Sequence, residues 1–203
     1  MKKLATRTAG LWVVLVLFIS SCTKPTNNGN IQQLEKFYTS MKVDGKEITF
    51  TENKDGFVNG YGKGGAFVPA LGKYFERQFT AFAKGGENKL NIYFMNFIEN
   101  TPPSEVEIKT MFYEGNYEYG NSNIMNLKPG VEIKYIDDKG IEWTSQGGQT
   151  GSFFEVTDHS KNTSDSYTPY RTSGKFSCRL YNNLGEYITV TDGEFNGRTV
   201  VYY

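Results

Sequence analysis

The feature that most constrains this chain is a succession of short segments in which apolar and polar residues alternate, each ended by glycine, asparagine or aspartate. Period-two alternation puts every second side chain on the same face of a strand, which suits a sheet with one face buried. Residues 37–43 and 47–51 flank Asp44-Gly45-Lys46, and Ile48 and Phe50 share a face of the second segment. An Asp-Gly pair between alternating runs signals a hairpin, because its turn needs left-handed backbone that these residues tolerate. The same grammar recurs in residues 77–83 and 89–98 around 84–88, in 131–136 and 141–145 around 137–140, and in 173–181 and 186–191 around 182–185. Segments 106–112, 151–157 and 193–196 read as further strands, and the tail 199–203 closes the chain. No window long enough for a packed helix carries a 3.6-residue period. The expected fold class is all-β, an antiparallel β-sandwich, with a lipocalin-like β-barrel as the alternative. Two stretches, 60–74 and 159–172, read as long irregular loops, and breaks of that kind favour two packed sheets.

The N-terminus has a different grammar. Lys2, Lys3 and Arg7 form a positive start, and the first acidic residue is Glu35. Residues 11–19 are an apolar run well short of the roughly 20 residues that span a bilayer, and match the core of a cleaved export signal. The run ends Ile19-Ser20-Ser21-Cys22, an aliphatic and two small residues before a cysteine. This resembles the lipobox of bacterial lipoproteins, where the cysteine thiol takes a lipid and becomes the first residue after cleavage. Several acyl chains on one residue hold a protein to a bilayer far better than one. The expected layout is a signal peptide at 1–21, lipidated Cys22 with a polar linker to residue 36, and a single β-rich domain at 37–203. The chain has two cysteines, so an acylated Cys22 leaves Cys178 without a disulfide partner. Cys178 alternates in phase with Phe176 and Leu180, which predicts a buried, inert thiol.

The lipobox, the early Met41-Lys42-Val43-Asp44-Gly45-Lys46-Glu47-Ile48 segment, Gly115-Asn116-Tyr117, 151–157, Ser173-Gly174-Lys175-Phe176-Ser177-Cys178 and the closing 188–195 segment occur in a telling order. Together they resemble small Bacteroidetes lipoproteins of unknown function, over roughly residues 37–197. The resemblance implies an envelope location and a β-rich fold, and supplies no catalytic residues. The implied place is the outer membrane, lipid-anchored, with the periplasmic or surface face left open.

The motifs that could carry chemistry each have a simpler explanation. Gly60-Tyr61-Gly62-Lys63-Gly64-Gly65 satisfies G-x-G-x-x-G, but no strand–helix unit surrounds it to hold a dinucleotide, so it reads as a glycine-rich loop. Zinc needs several Cys and His ligands, and His159 is the single histidine. Asp137-Asp138 sits in a hairpin turn, where Asp is favoured for bonding its own backbone rather than calcium. Asp158-His159-Ser160 lists triad residue types consecutively, whereas working triads are assembled from separate elements. Removing residues 1–21 leaves 19 basic and 22 acidic residues, a mixed, slightly acidic chain unsuited to nucleic acid. No catalytic residue, cofactor or metal ligand is therefore assigned.

One binding hypothesis stands. Tyr61, Phe67 and Tyr74 in the first long loop, and Tyr167 and Tyr170 in the second, are rings that could stack on a glycan or anchor an envelope protein, with Trp143 joining if it faces outward. The expected role is a membrane-anchored, non-enzymatic binding or assembly module; the alternative is a carrier of a small hydrophobic ligand in a lipocalin-like barrel.

Overall fold

The computed structural model describes residues 37–161 and 170–199, and these are built almost wholly of strands. In chain order they are β1 (Tyr38–Val43), β2 (Lys46–Thr51), β3 (Val58–Val68), β4 (Lys73–Lys84), β5 (Glu87–Ile98), the helix α1 (Glu105–Met111), β6 (Gly115–Tyr117), β7 (Gly130–Ile136), β8 (Glu142–Thr144), β9 (Phe153–Lys161), β10 (Tyr170–Tyr181) and β11 (Tyr187–Thr199). The signal peptide, Cys22, the linker to residue 36, Tyr167 and the tail beyond Thr199 lie outside the described residues. The hairpin signals mark real turns. Asp44 and Gly45 between β1 and β2, and Gly85 and Gly86 between β4 and β5, all have positive φ, the geometry of the tight turn whose twist matches paired strands.

Every pairing between strands is antiparallel, in the order β2-β1-β11-β10-β8-β7-β5-β4-β3. β9 and β6 branch from this path: β9 pairs with residues 170–177 of β10, and β6 pairs with β9. The sheet is strongly curled into a half-barrel, so its two arms face each other across one core. Phe94 of β5 meets Phe154 of β9 with ring centroids 5.8 Å apart, and Phe154 meets Phe195 of β11 at 5.4 Å. The all-β class thus takes a form between its two expected variants. Its arms pack face to face as in a sandwich, yet one hydrogen-bonded sheet supplies both.

Contacts between β11 and the β3–β4 arm hold the curl. The Arg198 amide donates to Asn59 Oδ1 at 2.9 Å, and its guanidinium donates to Asn59 O at 2.8 Å and pairs with Glu52. Gly197 lies so close to Thr80 that a Cβ there would stand 2.5 Å from Thr80 Oγ1.

Two expected strands need correction. Residues 106–112, read as a strand, form α1. Over so few residues the two periods cannot be separated by eye, and the capping box decides: Ser104 Oγ accepts the Glu107 amide while Glu107 Oε2 accepts the Ser104 amide at 2.8 Å. The buried face is then Ile108, Met111 and Phe112, at helical spacing, and Val106 is 71% exposed. The strand expected at 193–196 is not separate. β11 runs unbroken through Asp192, which takes positive φ at a bulge opposite β1 and β10 and pairs with Lys42 at 2.8 Å.

Candidate functional site

The glycine-rich stretch is a strand, not a loop. β3 pairs along its whole length with β4, with Tyr61 opposite Thr80, Gly62 opposite Phe79, Lys63 opposite Gln78 and Phe67 opposite Tyr74. Directly opposed residues share a face, so the glycines at 60, 62 and 64 fall together on the outer side. There the Phe79 ring lies over Gly62, where a Cβ would stand 2.4 Å from Phe79 Cζ, and the Arg77 guanidinium lies over Gly64. Of the motif's glycines, Gly62 lies under the Phe79 ring, Gly65 lies against Phe75 O and Glu76 on the opposite face, and Gly60 meets nothing within 4 Å, so the match reflects a glycine-rich strand and not a phosphate loop.

The inner side carries three of the expected ring residues. Tyr61, Phe67 and Tyr74 are 36%, 50% and 37% exposed, and the Phe67 and Tyr74 rings lie 5.1 Å apart. Alternation along paired strands has therefore gathered onto one face side chains that the sequence placed in a loop. Beside them on that face are Glu76 and Gln78, which the sequence reading did not single out. Gln78 is fully buried beside Glu76, and Glu76 Oε1 has no hydrogen-bond partner among the described residues. Burial pushes the Glu76 carboxyl above its ordinary range, against the pull of the Lys63 and Arg77 charges.

Tyr170 is elsewhere and committed to packing. His159 is stacked between Phe112 and Tyr170, with centroids 5.0 Å away on each side and planes within 6° and 1° of parallel. Its Nδ1 lies 2.8 Å from Thr172 Oγ1, which is bonded in turn to the Thr199 hydroxyl. Burial holds the imidazole below its usual pKa, although Asp158 and Glu114 pull the other way. Asp158 binds Ser160 Oγ and Arg171 instead of the imidazole, so the consecutive triad letters do not come together.

The remaining candidates are structural. Asp137 Oδ1 accepts the amides of Lys139 and Ile141, and Oδ2 accepts the Trp143 indole N–H at 3.0 Å. Burial acts to raise the Asp137 pKa, but these bonds outweigh it and the net shift is downward. Trp143 faces inward, 8% exposed, and so does not join an outer binding surface. Cys178 is buried, and burial pushes its thiol up to about 12. Among the described residues no three His, Cys, Asp or Glu side chains cluster as a metal would require, and no helix is long and apolar enough to cross a membrane.

No protein-family model matches this chain, and neither a curated protein nor a solved structure does.

Proposed function

We propose that this chain is a non-enzymatic envelope lipoprotein, held at the outer membrane by acyl chains on Cys22, whose 37–203 domain binds a partner protein. On this reading it is one of the small Bacteroidetes lipoproteins that its motifs resemble. One observation carries the binding role: Tyr61, Phe67 and Tyr74, each more than a third exposed, share one face of two paired strands. Aromatic side chains supply large contact area at low entropy cost and dominate the centres of protein interfaces. Rigid strands hold these rings in place, which reduces the ordering cost of binding. Binding at this face is favoured over carriage of a hydrophobic ligand because Phe94, Phe154, Phe176 and Phe195, all at most 2% exposed, fill the middle of the half-barrel.

The test is a photo-crosslinking residue at position 67 of the native lipoprotein in its own membrane, compared with one at the exposed position 106. The reading expects a discrete protein adduct from position 67 alone, abolished when Tyr61 and Tyr74 are changed to alanine. Equal adducts from both positions, or none from 67, would overturn it.

A further inference from the structure

A second site lies beside the junction of β8 and β10. β8 joins β10 through a single pair, Thr144 with Tyr181. Beside this weak seam, the loop at Asn123, the turn at Gly140 and the turn at Asn182 and Asn183 surround a cleft of about 680 Å³. That volume lies within the roughly 300–1,000 Å³ of small-molecule sites.

The chemistry of the lining is unusually one-sided. Among the described residues it holds no Lys, Arg or His and a single carboxylate, that of Glu142, which stands 3.9 Å from Lys134 Nζ. Four of its side chains are carboxamides, and three of them have capacity left over after their internal bonds. Asn123 Oδ1 accepts the Met125 amide, which leaves its NH2 to donate. Gln146 Nε2 donates to buried Glu132 at 2.9 Å, which leaves its carbonyl to accept. Asn183 makes no side-chain bond of its own among the described residues, whereas Asn182 is spent on Leu184, Glu186 and its own turn. The Thr144 hydroxyl accepts the Gln146 amide and retains its proton. Tyr181 forms a fixed wall: its hydroxyl donates to Gly148 O at 2.8 Å, and its ring sits over Gly147, where a Cβ would lie 2.5 Å away.

We propose that this cleft binds a neutral oligosaccharide, with its hydroxyls bonded by Asn123, Gln146, Asn183, Thr144 and Glu142 and a sugar face laid against Tyr181. Carboxamides can donate to and accept from adjacent hydroxyls, a carboxylate accepts from them, and an aromatic wall suits the C–H face of a pyranose. A phosphorylated or sulfated ligand would meet a carboxylate in the lining, with the nearest cation, Lys134, already paired to it. An extended peptide would want a strand edge and apolar side-chain pockets, and this lining is mostly amide and hydroxyl.

The experiment is nuclear magnetic resonance of the isotope-labelled full chain in a zwitterionic detergent, following side-chain NH2 signals. The probes are maltohexaose, cellohexaose, xylohexaose and a chitin hexamer, with a sulfated hexasaccharide and an uncharged blocked peptide as controls. At least one neutral sugar is expected to shift the Asn123, Gln146 and Asn183 signals saturably. Asn183→Ala and Glu142→Gln should each weaken that binding about fivefold or more, the factor expected for one lost hydrogen bond, with the unfolding midpoint unchanged. Alanine at Tyr61, Phe67 and Tyr74 should leave it intact, which separates this site from the protein-binding face. Silence from every neutral sugar, equal binding of the sulfated one, or binding of the peptide instead would each overturn the proposal.

Discussion

Gly197→Ala is the sharpest test of how the sheet closes on itself. The added methyl would point at Thr80, 2.5 Å from Oγ1, 3.0 Å from Cγ2 and 3.1 Å from Cβ. Carbon contacts relax at about 3.5–4.0 Å, so β11 and β4 would have to separate by something approaching an ångström. Neither can move cheaply. Thr80 is 1% exposed and accepts Asn59 Nδ2 at 3.0 Å, and Asn59 in turn accepts the amide of Arg198, the residue after the glycine. Overpacking of this kind typically costs about 1–3 kcal/mol. Thr80→Ala removes two of the three clashing atoms, and Asn59 Nδ2 keeps its second bond to Ala81 O. The methyl at 197 should therefore cost about 1 kcal/mol less in the Thr80→Ala background, beyond the ~0.5 kcal/mol within which independent sites add. Urea unfolding of the wild type, both single variants and the double variant, followed by circular dichroism, measures the coupling. A neutral Gly197→Ala, or strictly additive effects, would mean that β11 does not rest on β4 and that the curl is wrong.

Three further outcomes are expected. Ser104→Ala removes the cap of α1 and should cost ~1 kcal/mol, with faster amide exchange at Ile108 and Phe112; it should also raise Glu107, now held at about 2 by the Ser104 hydroxyl and amide with help from Glu99 and Asn100, back toward its ordinary value in a carboxyl titration. Glu76 has a folded pKa raised by burial, so the folded state loses stability as pH climbs from the unfolded carboxyl value through the folded one. Glu76→Gln should flatten that slope and stabilise the domain at neutral pH, and an unchanged slope would show that the carboxyl is not buried. His159 has the opposite sign: its folded pKa is lowered by burial, so stability should be lost as pH falls below the ordinary histidine value toward the folded one. An imidazole titrating at or above that ordinary value by nuclear magnetic resonance would contradict its stacked position.

Much of the fold was legible because turns are local. Asp44-Gly45 and the 182–185 turn announce themselves through residues that tolerate positive φ, and alternation such as Leu90, Ile92 and Phe94 marks the buried face directly. What was hidden depends on partners distant in sequence. β3 reads as a loop because its glycines have no side chains to alternate; the Phe79 ring and the Arg77 guanidinium of β4, laid over Gly62 and Gly64, complete its outer face. Nothing local singles out Glu76 and Gln78, because the sheet is covered on both sides there, with Phe75 2% exposed and Gln78 fully buried. α1 could have been found, since Ser104-x-x-Glu107 is a helix-start signature that outweighs a short alternating run. Of the candidate rings, Tyr61, Phe67 and Tyr74 came together through strand register, while Tyr170 went to the His159 stack. Which arms of a single sheet face each other is a property of its curl, and no local pattern encodes that.

Peptide mass spectrometry of the protein extracted from its native membrane tests the proposed tether most directly. A chain that starts at Cys22 and carries a thioether-linked diacylglycerol is the expected result, together with release into the soluble fraction on Cys22→Ser. A thiol found free at that position, or a serine variant that stays with the membrane, would contradict it.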